Sequence, residues 1–185
     1  LHEGLAWNDD GLTETAAFEP ELMVLYAKES NADDKKEDDG NYSGNFDLVL
    51  KDDLWGEKSY EKAECKMHRE AISGAIAKAG LTVDDIDIML AGDLLNELSA
   101  SSFSARNFPM PFLGLYNACS TFSECMILGG MLIDAGFAEN VTCSTSSHFS
   151  SAERQYRYPL ELGNQRTPTA QWTVTGAGAC VLSKN

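Results

Sequence analysis

The sequence predicts an α/β protein with a mainly parallel sheet, and three observations predict it. From Ser59 onward, short apolar runs alternate with stretches of helical period, the strand–helix–strand series of a parallel sheet with helices on its faces. Gly and Pro residues punctuate the junctions between them. One stretch, Cys119 to Gly136, is apolar on every side, so it has to be enclosed on both sides.

Residues 1–44 carry the weakest signals. The acidic cluster Asp33 to Asp39 runs into Gly40-Asn41-Tyr42-Ser43-Gly44, which is loop chemistry. Leu22 to Tyr26 fits a short helix or a strand equally well, and the segment is expected to be a partly flexible arm. A helix begins after Ser59. Ala63, Met67, Ala71, Ala75 and Ala79 recur every fourth residue, with Ile72 and Ile76 on the adjacent line. Glu61, Lys62, Lys66, Arg69 and Lys78 fall off that stripe, as does His68, which is expected to be solvated. Gly80 can turn left-handed to close the helix, with Leu81 as its apolar cover.

Ile86, Ile88 and Leu90 then alternate towards Gly92-Asp93, a strand ending in a loop. A second helix is expected over Glu97 to Asn107, stopped by Pro109 and Pro111. Phe112 to Tyr116 reads as a short strand, Cys119 to Gly136 as the third helix, and Asn140 to Ser146 as the third strand. A polar and aromatic stretch, 147–172, leads to a last strand near Ala177 to Ser183. In the third helix Glu124 and Asp134 are the only charges, ten residues apart. Nothing else in the chain offers itself as the cover for its far side.

Composition narrows the function. The formal charge of −15 argues against nucleic acid as a partner, since an acidic surface repels phosphate and no basic run stands out. The longest apolar run, Cys125 to Ile133, falls short of the ~20 residues of a membrane span. No charged-then-apolar leader opens the chain, and it begins at Leu1 rather than Met, so it is expected to be a piece of a longer protein. The five cysteines are irregularly spaced with no C-x-x-C pair, which fits reduced thiols in a cytoplasmic setting and neither zinc nor a disulfide frame.

Ligands of parallel sheets bind beyond the carboxyl ends of the strands. That rule gathers Asp93, Asn117 to Cys119, and Ser146 to His148 on one rim. Cys119 follows a strand and opens a helix, where unpaired N–H groups and the helix dipole favour a thiolate or a bound anion. A small buried cysteine at a crowded turn is the other reading of the same residue. His148 can donate to a ligand or simply bond to backbone. Arg154 and Arg157, interleaved with Tyr156 and Tyr158, suit a planar carboxylate ligand, and equally a network that holds a long loop. Thr173 to Ala179 is small enough for a ligand to approach backbone, but lacks the lysine and spacing of a phosphate loop.

Several blocks resemble the stage V sporulation protein AD family: Ala91 to Asn96, Pro111 to Tyr116, Ala118-Cys119-Ser120-Thr121, Leu132 to Ala138, Thr145 to His148, Ala152 to Pro159, and Thr169 to Gly178. They cover 45–185 in order, while 1–40 match poorly. The resemblance implies a thiolase-like fold, of which 45–185 would be one half of the αβαβα layered architecture, with the other half absent beyond Asn185. It implies that Cys119 stands where thiolases and β-ketoacyl synthase III carry their nucleophile, with the basic partners on the missing half. It also implies a role in sporulating Firmicutes. Dipicolinic acid is then the ligand, bound for uptake into the forespore with no resident cofactor, and calcium can accompany it. The implied partners are the other proteins of the stage V sporulation A complex at the forespore membrane, with a homodimer at full length and a cytoplasmic or peripheral place at the spore inner membrane. Cys119 is carried over as the pocket floor, and Ser146 and His148 as rim residues; Arg154 and Arg157 rest on their chemistry alone. An acyltransferase using Cys119 as nucleophile is the competing reading.

Overall fold

The computed structural model describes residues 21–27, 46–156 and 175–184. Its order is β1 (Glu21–Ala27), β2 (Leu48–Leu50), α1 (Tyr60–Lys78), β3 (Ile88–Asp93), α2 (Ser99–Ala105), β4 (Phe112–Gly114), α3 (Thr121–Asp134), β5 (Asn140–Ser147) and β6 (Gly176–Ser183). The six strands form one sheet in the order β2-β1-β6-β5-β3-β4. β4 and β5 run parallel to β3, and β2 runs parallel to β1. β6 is antiparallel to both its neighbours. A parallel return needs a crossover, usually a helix, and the sequence between β5 and β6 shows no helical pattern.

The segment read as an arm contributes β1 to this sheet, paired with β6 from Glu21↔Val181 to Tyr26↔Gly176. A strand this short between two partners is held by backbone ladders more than by its own pattern, so its sequence left helix and strand undecided.

α1 starts on Ser59, whose Oγ accepts from the Lys62 N–H (3.4 Å). It ends as expected: Gly80 takes φ +70°, with Gly80 N–H to Ala77 O at 3.1 Å and Leu81 N–H to Ile76 O at 3.1 Å. Met67, Ala71, Ile72, Ala75 and Ile76 pack on one sheet face against Met89, Ala91, Ala177, Ala179 and Val181. Each large side chain fully buried here stabilises the fold by about 2 kcal/mol.

α3 covers the opposite face. Cys125 and Ile133 pack on Leu90, Val141, Cys143, Cys180 and Leu182. Gly129 lets the helix lie close, since a Cβ there would stand 3.0 Å from Leu182 and 3.2 Å from both Cys143 and Val141. The far side of α3 is open: Ile127 is 64% exposed and Met131 61%, and Phe137 just past the helix is 81% exposed. The helix that is greasy all round is therefore covered on one side only by the described residues. Among the described residues no helix is long and apolar enough to cross a membrane.

Replacing both Ile127 and Met131 by Ser should leave the urea-unfolding free energy within about 1 kcal/mol, since neither is buried. If this exposed strip draws copies together, the same change should also lower the weight-average mass in sedimentation. A loss as large as that of a core substitution would mean that this face is covered.

Candidate functional site

The carboxyl ends of β3 and β5 do meet: Asp93 lies opposite Ser146 in the parallel register. The two are then used locally. Asp93 Oδ2 accepts from the Ser101 N–H (2.6 Å) and Oγ (2.5 Å), and its Oδ1 from the Leu95 N–H (3.0 Å), so it organises the loop into α2. Ser146 Oγ donates to Glu64 Oε1 (3.1 Å).

Side chains alternate across a strand, and this parity divides the expected rim. Ser144 and Ser146 both touch residues of α1, whereas Val141 and Cys143 pack under α3. Thr145 and Ser147 therefore share the α3 side with Cys119, and Ser146 does not. His148 also belongs to α1: it is fully buried, 5.1 Å from the Tyr60 ring. Its Nδ1 accepts from the Ser150 N–H (3.1 Å), which leaves the proton on Nε2 to donate to the Asp53 carbonyl (2.9 Å). Burial holds its pKa below the usual imidazole value, against the pull of Asp53. Arg154 is exposed, and Arg157 lies outside the described residues, as do Thr173 and Val174. Gly176 to Ala179 are strand residues paired on both edges rather than a ligand loop.

Cys119 does not open the helix as expected: it sits in a 3₁₀ turn over Ala118–Ser120, and α3 starts two residues later at Thr121. Ser120 and Thr121 brace this turn rather than cap the helix. Thr121 Oγ1 accepts from the Asn117 N–H (2.9 Å) and donates to the Ala118 carbonyl (2.9 Å), and Ser120 Oγ donates to the Asn117 carbonyl (2.9 Å). Ala118 is held at φ +45°, a left-handed conformation that costs a residue with a Cβ about 1 kcal/mol. The strained residue directly precedes an exposed thiol. Three of the other four cysteines have thiols shifted upward, while buried Cys180 is lowered by its hydrogen bond with Cys143. Burial pushes Cys125 up to about 12 and raises Cys65. Cys143 is raised by its hydrogen bond with Cys180 and by burial. On the same side of the sheet, a Glu124 oxygen and the Ser147 hydroxyl are buried without a hydrogen-bond partner among the described residues.

Gly92 makes the arrangement possible. A Cβ at this position would stand 2.0 Å from the Leu115 carbonyl oxygen and 2.6 Å from Thr121, so β3 touches the turn that carries Cys119.

The α1 side hides a polar ladder that the apolar stripe did not reveal. Glu64 and His68, four apart on α1, are both fully buried, so His68 is not solvated. His68 Nε2 bonds to Ser144 Oγ (2.9 Å), and Ser151 Oγ donates to Glu64 Oε2 (2.8 Å). Two even positions of β5, Ser144 and Ser146, meet two polar positions one helical turn apart. Burial, with Asp93 and Glu153 nearby, outweighs the two serine hydrogen bonds and raises the Glu64 carboxyl to about 7. Burial alone lowers His68 to about 3. No group of three or more potential ligands that could hold a metal occurs among the described residues.

A sheet with helices on both faces, a cysteine at the strand-to-helix turn and a one-sided apolar helix define a thiolase-like fold. Solved structures agree on that class. The chain is similar to 3-oxoacyl-[acyl-carrier-protein] synthase III from Aquifex aeolicus VF5, with a TM-score of 0.60 and 15% identity over 91% of this chain and 54% of that one. It is also similar to OleA from Xanthomonas campestris, with a TM-score of 0.52 and 16% identity over 71% and 42% of the two chains. The chain belongs to the stage V sporulation protein AD (SpoVAD) family, whose pattern it matches over residues 13–185. It is 42% identical over 171 residues to stage V sporulation protein AD of Bacillus subtilis (strain 168). That match covers 92% of this chain and 50% of the relative, so the chain spans about half the length of the curated relative it matches. The family match begins some thirty residues before the blocks read from the sequence, in keeping with β1 belonging to the sheet.

Two measurements check the site. Gly92→Ala should cost about 3 kcal/mol in urea unfolding or prevent folding, because backbone cannot yield to the added methyl. The second is the pH dependence of the melt. A carboxyl raised to about 7 binds its proton more tightly in the folded chain, so its contribution to stability is complete below about pH 4.5 and lost as the pH climbs through 7, about 3 kcal/mol in all. His68, lowered from 6.5 to about 3, contributes above 6.5 and loses that contribution as the pH falls, as does His148 in the same direction. The slopes oppose one another between about pH 5 and 6.5, so the native melting temperature should be nearly level there and fall towards about pH 8. Glu64→Gln should instead gain stability up to about pH 6.5 and then stay flat. Parallel curves for the two proteins would show Glu64 to be ionised throughout.

Proposed function

We propose that the chain forms one half of a binding unit for dipicolinic acid, acting in the ligand's uptake into the forespore together with other stage V sporulation A proteins at the forespore membrane. The observation that carries this reading is the turn at Ala118 and Cys119, strained and exposed at the amino end of a helix whose far apolar face lies open. Membership of the sporulation family supplies the setting, and the ligand is the one that the family resemblance implies. A second half of similar architecture would cover Ile127 and Met131 and close a pocket over Cys119. In that pocket Cys119, Glu124 and Ser147 would line the α3 side. Arg154 and Arg157 are the proposed clamps for the two carboxylates, with calcium able to bridge the bound ligand. The full-length unit is read as a homodimer, peripheral at the spore inner membrane.

The exposed thiol also favours a second reading, acyl transfer. The Cys119 thiolate would attack the thioester carbonyl of an acyl-CoA, the bond to the CoA sulfur would break, and CoA would leave as the thiol with the proton given up by Cys119. One pair of experiments separates the two. Calorimetric titration of the full-length Bacillus subtilis relative and of this chain with dipicolinate should give saturable heat in the relative; no heat at millimolar ligand removes the binding reading. Incubation with acetyl-CoA followed by intact mass measurement should give no added acetyl group. A mass gain that disappears in Cys119→Ser would establish acyl transfer instead.

A further inference from the structure

Cations that look scattered along the sequence converge at one place on the far side of the sheet from Cys119. α1 and α2 border a cavity of about 610 Å³ lined by Lys62, Arg69, Phe103, Arg106 and the carboxylates of Glu57 and Glu61, among others. Its floor is pinned, since Ser104 Oγ donates to the Cys65 carbonyl (3.1 Å) and Cys65 Sγ to the Ala100 carbonyl (3.7 Å). Lys62 and Arg69 are seven apart on α1, two turns along one face. Arg106 reaches the cavity from just beyond α2.

The arginines are the unusual feature. The chain holds 29 acidic side chains against 14 basic ones, so a half-buried guanidinium is expected to find a carboxylate. Neither Arg69 nor Arg106 makes an ion pair or a side-chain hydrogen bond with the described residues. The two carboxylates that line the same cavity are otherwise engaged. Glu57 lies 3.8 Å from Lys66. Glu61 is bonded to its own backbone and to Ser59, and these bonds lower its pKa. Each guanidinium keeps five donors in a planar fork that suits carboxylate or phosphate oxygens; Arg69 is half-buried, which strengthens what it binds, and Arg106 is exposed. Beside Arg106, 5.7 Å from its guanidinium carbon, the Phe103 ring is 57% exposed. The Arg106 guanidinium lies over this ring, and the remainder of the ring, left in water, is a surface for a second flat ring.

We propose that this cleft is a second binding site, distinct from the Cys119 turn, for a small molecule in which a flat ring carries anionic oxygens. The ring would lie on Phe103 and the anionic groups on Arg69 and Arg106, with Lys62 at the mouth. The volume is in the range of small-molecule sites.

The test is titration of the isotopically labelled chain at low salt with phenyl phosphate, isophthalate and inorganic phosphate. Amide shifts report the location, so binding here is told apart from anything that occurs at Cys119. Saturable shifts are expected over residues 57–69 and 103–107, with one or both ring anions at least about tenfold tighter than inorganic phosphate; which is tighter decides between phosphate and carboxylate. Arg69→Gln and Arg106→Gln should each weaken the ring anions about tenfold, as loss of a charge-assisted pair does. Phe103→Ser should erase the preference for a ring. Lys62→Gln, an exposed change that leaves packing alone, should weaken all three probes. The proposal is overturned if a folded chain shows no shifts in the cleft, if the ring anions bind no tighter than inorganic phosphate, or if Lys184→Gln, outside the cleft, weakens binding as much as the arginine variants.

Discussion

Everything in this chain hangs on a sheet that needs cover on both faces. β5 runs through its interior with an apolar edge at Val141 and Cys143 turned towards α3 and a polar edge at Ser144 and Ser146 turned towards α1. α3 satisfies its face with hydrophobic contacts alone. α1 satisfies the other with an apolar core and a buried polar ladder together. The ladder is tolerated because Ser146 and Ser151 donate to Glu64 and Ser144 bonds to His68, and because a carboxyl able to stay protonated near neutrality does not demand the full solvation of an ion; His68 Nδ1 is buried without a partner among the described residues.

The order of helices and strands was legible because their signals are local. The four-residue recurrence on α1 and the glycine that closes it needed no tertiary information. The apolar character of α3 was legible as well, but the enclosure expected from it is not met among the described residues, where Ile127 and Met131 stand exposed. The burial of His68, which was expected to be solvated, and of Glu64 is not legible from the apolar stripe, because a polar residue beside the stripe does not show whether it has a buried partner. A signal was available: polar positions four apart on a helix can match polar positions two apart on a strand. The direction of β6 and the place of β1 were not legible, because both are settled by partners distant in sequence.

The position of Cys119 between a strand and a helix was legible, and the side of the sheet reached by Ser146 and His148 was not. Cys119 emerged from its position between a strand and a helix, and the strained Ala118 turn gives that position a physical basis. Ser146 and His148 were grouped with it because they end the next strand on the same rim. Strand alternation sends Ser146 to the other face, and a pair of backbone bonds ties His148 down there. Ser147, one residue along, is the serine on the Cys119 side. A ligand rim is thus defined by the end of a strand and by which of its two faces looks inward, and only the first is visible without the sheet.

The open strip on α3 sits on a chain with a formal charge of −15. Coulomb repulsion between copies and the pull of the exposed Ile127 and Met131 act against each other at contact. Repulsion decays over a Debye length, about 10 Å at 0.1 M salt, while hydrophobic attraction is not screened. Any attraction of copies through this strip should therefore strengthen with ionic strength, as added electrolyte removes the repulsion that opposes it.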